Sequence, residues 1–501
     1  MIRPSLDEFE QLAERFAFVP VELKVLGDSL TPIALYAAIK DHSRYSFLLE
    51  SVQGGEARAR YSFLGSAPRE VFGTQGEEPF FCRAGESPLT NPPEALSYLR
   101  EIGRPGQSPE IDGMPPFVGG SVGYIAYDAV SAFGDVERTK RPGLSTPEMF
   151  FMTFDRILCF DHLHHTLSLI VNVPTKQDRA SASRRYARAV DELHQLYRSL
   201  NTPGPLKSLS VTLPKADVPI PSASTFGRES FMAAVEKVKE YIRAGDIFQG
   251  VLSQRFAVPI GSAEPLDIYR VLRFLNPSPY MYCLDFGSFH VVGTSPEALV
   301  KLSHDTVEVR PIAGTRRRGS TPDEDQSLEE ELRHDPKELA EHIMLVDLGR
   351  NDVGRVSQYG TVQVTELMTV ERYSHVMHLV SNVKGLKRTE FDPVDVFAAA
   401  FPAGTVTGAP KIRAMQIIDE LEPEARGLYA GGIGYFSFTG QMDSCIAIRT
   451  MVIKDGTAYI QGGGGIVADS DPGLEYQETV NKTRVLVQAI ACAQAGSGTG
   501  G

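Results

Sequence analysis

Between positions 202 and 224 the chain carries five prolines, Pro203, Pro205, Pro214, Pro219 and Pro221, among serines and with few periodic apolar residues. Proline fixes φ and donates no backbone hydrogen bond, so neither a helix nor an interior strand runs comfortably through such a stretch. The segment therefore predicts a linker at 202–224, dividing the 501 residues into a first part, 1–201, and a second, 225–492. Each part is long enough to bury a core. The Gly- and Ser-rich end, 493–501, predicts a disordered tail.

In the first part, Tyr45-Ser-Phe-Leu-Leu49 and Leu167-Ser-Leu-Ile-Val-Asn-Val173 are apolar runs bounded by Gly and Pro, and they read as strands. A polar helical segment follows over 184–200. In the second part Phe231, Val235, Val238 and Ile242 recur with helical spacing, and Gly245 stands where a C-terminal cap belongs. A helix over 231–242 leading into a strand over 247–253 is expected. Further helices are expected at 337–348, with Leu339, Ile343 and Val346 as the apolar stripe, and at 471–492, where Asp471-Pro472 supplies an N-cap and a first-turn proline. One short echo links the two parts: Gly119-Gly-Ser-Val-Gly-Tyr124 resembles Gly431-Gly-Ile-Gly-Tyr435.

Composition excludes several classes. With 42% hydrophobic and 23% charged residues the chain is a folded protein, not a disordered one. Its net charge of −13, with no dense Lys/Arg run, argues against nucleic acid as a partner. Five cysteines, Cys82, Cys159, Cys283, Cys445 and Cys492, form no CxxC pair, which fits reduced thiols rather than a disulfide framework or a zinc site. The N-terminus turns acidic within ten residues, and no stretch reaches about 18 apolar residues, so neither export nor membrane spanning is expected. A cytoplasmic location is the expectation.

Glu338 and Glu341 stand three apart on the first of the two later helices, and Glu475 and Glu478 repeat that spacing on the second, with Lys482 four residues on. Carboxylates on two rigid helices suit a hard cation such as Mg²⁺; Glu478 and Lys482 equally read as an ordinary surface pair. Gln461-Gly-Gly-Gly-Gly-Ile466 is either a plain turn or a place where backbone N–H groups approach an anion. Gly404-Thr-Val-Thr-Gly-Ala-Pro-Lys411 is not a nucleotide phosphate loop, because its spacing is short by one and Ile412 replaces Ser/Thr. No GxGxxG joins a strand to a helix. His375 and His378 lie in a strand-like segment where alternation turns only one inward. Arg449 ends the apolar run Cys445-Ile-Ala-Ile-Arg449 and needs a carboxylate partner, from the protein or from a substrate.

Taken together, several long motifs resemble the chorismate-utilising enzymes, and among them the large subunits (component I) of anthranilate synthase. They are Asn276-Pro-Ser-Pro-Tyr-Met281, Thr294-Ser-Pro-Glu297, Arg310-Pro-Ile-Ala-Gly-Thr315, the Glu341 to Asp352 helix, Gly404 to Lys411 and Gly462 to Lys482, with Leu48-Leu-Glu-Ser51 and Arg60-Tyr-Ser-Phe-Leu-Gly65 in the first part. The resemblance implies an α/β fold of two facing, largely antiparallel β-sheets flanked by helices. It implies Mg²⁺ bound by Glu341 and Glu478 with Glu338 and Glu475 behind them, and a chorismate cradle of Tyr429, Arg449, Gly463, Gly465 and Lys482. By the same resemblance Glu297 is the general acid for the departing C4 hydroxyl, and His378 and Thr405 line the ring. Isochorismate-forming relatives carry a lysine base where Gln249 stands; glutamine cannot deprotonate water, so ammonia is the implied nucleophile. Ala313, where aminodeoxychorismate synthases usually carry lysine, points the same way.

Ammonia implies a separate glutamine amidotransferase subunit as partner. Ser51, Pro279, Tyr280 and Met281 match the pocket through which tryptophan inhibits regulated members, which makes the first part regulatory and the second catalytic. Two alternatives stay open: the aminodeoxychorismate-forming subunit, and a catalytically inactive tryptophan-binding subunit.

Overall fold

The computed structural model describes residues 1–501 except 41–42, 52–59, 77, 135, 137–142, 177–179, 201–205, 207–208, 210–223, 374–375 and 498–501. Among the described residues the strands form a twelve-stranded and an eleven-stranded sheet, with antiparallel pairing throughout. Each sheet is built by both parts of the chain. In the larger sheet the strand Ser46–Glu50 pairs with Tyr280–Asp285, placing Glu50 opposite Met281. In the smaller sheet Gly120–Ile125 pairs with Gly432–Ser437, placing Gly123 opposite Gly434.

That second junction explains the echo between the two parts: the similar segments are neighbours. A Cβ on Gly123 would come within 2.0 Å of the Phe150 carbonyl oxygen, and one on Gly434 within 2.1 Å of the Asp443 carbonyl oxygen. Neither position has room for a larger residue.

Facing side chains of the two sheets, among them Phe47, Phe63, Tyr282, Tyr124, Phe154 and Tyr435, form one continuous aromatic-rich cluster. The opposite face of the larger sheet packs on helices, with Leu167, Leu169, Leu266, Leu272, Leu486 and Ile490 in a second cluster. The smaller sheet does likewise with Leu99, Val346, Val353 and Phe397. The order is helices, sheet, sheet, helices. Both faces of the central strands are therefore dry. In Ser46–Glu50, Phe47 points to the inter-sheet cluster and Leu48 to the helices, which is why such strands read as unbroken apolar runs instead of alternating ones.

Local signals and structure agree at the helix Arg228–Ala244, where Gly245 adopts φ +85 and donates to the Ile242 and Tyr241 carbonyls. Two expectations need correction. In the helix Pro336–Val356, Ile343 is 51% exposed, and the buried line runs through His342, Leu345, Val346, Gly349 and Val353. His342 takes a core position with Ser381 Oγ 2.6 Å from its Nε2, so one of its two ring nitrogens has a partner in a dry place, while among the described residues Nδ1 has none. The helix Pro472–Ser497 also outlasts the expected start of the tail: Ala493 is fully buried, and Gln494 Nε2 donates to the Pro259 carbonyl at 3.1 Å. Only 498–501 of that tail, and most of the linker at 202–224, lie outside the described residues. Leu206 and Leu209 pack against the helix-covered face of the larger sheet. All five cysteines are free. Among the described residues no helix is long and apolar enough to cross a membrane.

Candidate active site

A cavity of about 560 Å³ opens where the strands Gln249–Pro259 and Thr457–Ile466 meet the helices Pro336–Val356 and Pro472–Ser497. Its volume suits a small organic ligand. Its wall contains Gln249, Glu297, Glu338, Glu341, His378, Thr405, Tyr429, Arg449, Gly463, Gly465, Glu475, Glu478 and Lys482. Residues scattered over more than two hundred positions of sequence thus converge on one space.

The glycine run is not a turn. Gly462 to Gly465 lie inside the strand Thr457–Ile466, paired antiparallel with Gln249–Pro259 so that Gly463 faces Ser253 and Gly465 faces Val251. Glycine is a poor strand former, so its presence here needs a steric cause. A Cβ on Gly463 would stand 2.5 Å from Tyr429 Oη, one on Gly465 2.5 Å from Gln249 Nε2, and one on Gly464 3.1 Å from Glu475 Oε2. The bare strand is the floor that lets these side chains reach inward.

Glu297 follows the strand His290–Ser295. Its backbone is pinned by the Ile446 N–H, which donates to the Glu297 carbonyl at 3.0 Å. Glu297 is half-buried and lines the cavity. Burial pushes its pKa up from 4.5 to about 8; the neighbouring Thr405 hydroxyl and the Lys482 charge pull the other way and do not win. A carboxyl that is still protonated at neutral pH can donate a proton.

His378 lies on the strand Val376–Leu386, with Nδ1 3.0 Å from the Gly314 carbonyl oxygen. A carbonyl only accepts, so Nδ1 carries the proton and Nε2 keeps its lone pair. Burial lowers the His378 pKa, so the ring is neutral near pH 7. His375 lies outside the described residues. Arg449 adopts φ +52, a strained backbone for a residue with a side chain, and its guanidinium donates to the Lys482 carbonyl. Among the described residues no carboxylate forms an ion pair with it. Burial lowers its pKa, opposed by Tyr429 and Glu478. Tyr429 itself is pushed up to about 12 by burial, so its hydroxyl stays protonated.

The four glutamates divide as their helices do. Glu338 accepts from Arg316 at 2.9 Å, and Glu478 pairs with Lys482 at 2.6 Å. Glu475 accepts from Ser470 Oγ at 2.6 Å through one oxygen, while the other, Oε2, is buried and has no hydrogen-bond partner among the described residues. Burial and then the Glu338 charge raise the Glu341 pKa; burial raises that of Glu475, with Glu478 adding to it. Among the described residues no three His, Cys, Asp or Glu side chains stand close enough to form a ready-made metal set. The orphaned carboxylate oxygen and the mutual repulsion nonetheless fit a divalent cation, which would satisfy both. Lys411, by contrast, is committed to Asp352 at 3.0 Å, in keeping with the absence of a phosphate loop.

A second cavity, about 480 Å³, borders the first, and Pro296 and Ile312 line both. Ser51, Pro279, Tyr280 and Met281 lie in its wall, together with Glu50, Arg310 and Asp443. Tyr280 donates to Asp443 at 3.0 Å, and Tyr269 donates to the buried Glu50 at 2.6 Å. Lys337, Thr315 and Gln461 also line the first cavity, and the buried pair Glu422 and Arg426 stands behind it; the sequence assigns none of these five side chains a role. The only sequence signal for Gln461 is its place before the glycines.

The sequence profile of the chorismate binding enzyme family matches residues 44–488. Over 492 residues the chain is 45% identical to anthranilate synthase component 1 of Acetivibrio thermocellus, covering 98% of this chain and 99% of that one. It is likewise 45% identical over 498 residues to the protein of that name from Pseudomonas putida, covering 97% and 98%. The crystal structure of anthranilate synthase component I from Streptococcus pneumoniae superposes with a TM-score of 0.75 at 37% identity, over 92% of this chain and 99% of that one. The menaquinone-specific isochorismate synthase of Escherichia coli, at 18% identity and a TM-score of 0.67, shares the fold. This chain belongs to the chorismate binding enzyme family.

Proposed function

We propose that the chain is the chorismate-aminating subunit of an anthranilate synthase. The observation that carries the reading is a single cavity holding a half-buried arginine without a carboxylate ion-pair partner among the described residues and a carboxyl whose pKa is pushed up to about 8. A dicarboxylate losing a hydroxyl needs both. In this reading chorismate and ammonia give anthranilate, pyruvate and water. Arg449, the Tyr429 hydroxyl and the Gly465 N–H receive the enolpyruvyl carboxylate, and Lys482 with the amides near Gly463 faces the ring carboxylate. Glu297 protonates the C4 hydroxyl as it leaves and ammonia adds at C2; the Nε2 lone pair of His378 assists the loss of pyruvate.

Glu341 and Glu478 would hold Mg²⁺, with Glu338 and Glu475 behind them. The ion would supply positive charge to the ring carboxylate. Gln249 and Ala313 favour ammonia over water and over a lysine adduct. Because ammonium dominates at neutral pH, a separate glutamine amidotransferase subunit would deliver the ammonia, and the relatives' designation as component 1 is consistent with a second component. The enzyme would work in the cytoplasm.

The purified chain with chorismate, Mg²⁺ and ammonium at alkaline pH is expected to yield fluorescent anthranilate. A product that needs a separate lyase to aromatise would instead select the aminodeoxychorismate reading. The second cavity is proposed to take tryptophan, which inhibits by binding better to a less active arrangement. Ser51→Phe would fill part of that cavity. The expected result is loss of tryptophan inhibition, at least about tenfold in the inhibitory concentration, with turnover retained. The chain contains no Trp, so binding of added tryptophan is read directly from indole emission. Tryptophan binding without turnover would select the inactive-subunit reading, and unchanged inhibition in the variant would remove Ser51 from the pocket.

A further inference from the structure

Behind the first cavity lies an ion pair that touches no part of its space. Arg426 and Glu422 are 2% and 3% exposed and form a two-point contact, Nε to Oε2 at 3.0 Å and Nη2 to Oε1 at 2.7 Å. The same guanidinium donates from Nη1 to the Val406 carbonyl at 2.7 Å and from Nη2 to the Val251 carbonyl at 2.6 Å. Its carbon stands 4.7 Å from the centre of the Tyr127 ring and 5.6 Å from that of Tyr429. On the other side, Glu422 Oε1 accepts from both the N–H and the hydroxyl of Ser253, each at 2.8 Å, and Gln461 Nε2 donates to that hydroxyl at 2.9 Å.

Apart from the Tyr127 ring, which stands outside the cavity wall, the attachments lead to segments that line the cavity. Val406 follows Thr405 in the turn Gly404–Val406; Val251 lies two residues beyond Gln249; Tyr429 is itself in the wall; Gln461 precedes the glycine floor. A buried ion pair is weak evidence for stability, because apolar side chains of similar volume often serve as well. Apolar side chains cannot, however, bind two carbonyls on separate segments while stacking on an aromatic ring. Only a planar, multiply donating guanidinium does all three.

We propose that Arg426, fixed by Glu422, is a positioning residue for the substrate cavity. It holds the Thr405 turn, the Val251 strand and the Tyr429 ring in one arrangement without touching substrate. The inference rests on the anthranilate-forming reading for its assay. The wild-type chain is therefore assayed first: failure to form anthranilate there counts against that reading and leaves the pair aside.

In Arg426→Lys the charge remains and the planar fork is lost. A side chain displaced by about 1 Å can reduce turnover by about a hundredfold. The expected result is a KM for chorismate raised at least about tenfold, together with a shift in the pH limb attributed to Glu297, because Thr405 no longer sits beside that carboxyl. Both are measured in protein shown by circular dichroism to be folded at the assay temperature. A purely structural role would lower the melting temperature and leave KM and the pH limb within about twofold of wild type, and that result overturns the proposal. Should Arg426→Lys fail to fold, Ser253→Ala cuts the same network at a smaller group. A rise of about threefold in KM supports the proposal, and an unchanged KM overturns it.

Discussion

Replacing Glu341 by glutamine is expected to reduce chorismate turnover at least about a thousandfold while the fold survives, and Glu478→Gln is expected to do the same. The figure follows from several kcal/mol of charge stabilisation by a bound cation, at about 1.4 kcal/mol per tenfold in rate. Glutamine keeps the shape of the side chain and removes one negative charge from a group already destabilised by burial and by Glu338. The folded state holds the Glu341 proton more tightly than the unfolded chain does. Ionisation above the unfolded pKa therefore costs folding stability, which is lost as pH rises through the folded value. Glutamine incurs no such cost, so the metal-free variant should melt at or above the wild-type temperature at neutral pH. Titration calorimetry gives a second readout. Mg²⁺ binding to the wild type should be measurable and should be lost in the variants. Near-normal Mg²⁺-dependent rates in either variant would show that the cation is held elsewhere.

Those glutamates could be found from spacing alone, since i,i+3 carboxylates on two helices are a local pattern. The packing around them could not. Ile343 has the right spacing for a buried stripe and is exposed, because the core of that helix accepts His342 in partnership with Ser381, a contact made across 39 residues. The glycine floor looks like a turn in sequence because glycine is depleted in strands. Its reason appears only when Tyr429, Gln249 and Glu475 are seen crowding it from three other segments. The Glu422 and Arg426 pair is harder still. Its residues stand four apart across Pro423, beyond the end of the helix Lys411–Leu421, and nothing nearby in sequence marks them as a buried pair. Burial comes from tertiary neighbours such as Tyr127, which lies about 300 residues earlier in the chain. Motif resemblance reaches the cavity wall, whereas the supporting layer behind it is set by tertiary packing.

Glu297→Gln carries the second large effect, and it separates general acid catalysis from simple binding. Glutamine is nearly the same size and still hydrogen-bonds, but it has no proton to give. The rate should fall by about a hundredfold to ten-thousandfold with a much smaller change in KM. The pH dependence is the sharper test. With its pKa near 8, Glu297 is protonated through neutrality, so the wild-type rate should decline as pH rises through about 8. The profile is taken at constant free ammonia, so that the growing ammonia fraction does not hide the decline. In the variant that limb should disappear. Stability should change in the same window and with a fixed sign. The folded state keeps the proton up to about 8 whereas the ordinary value is 4.5, so the wild type loses stability relative to the variant between those values. The melting temperature of Glu297→Gln should therefore gain on that of the wild type as pH is raised across this range. A variant that retained the alkaline limb would place the acid on another side chain, and Glu297 would then be only a polar part of the wall.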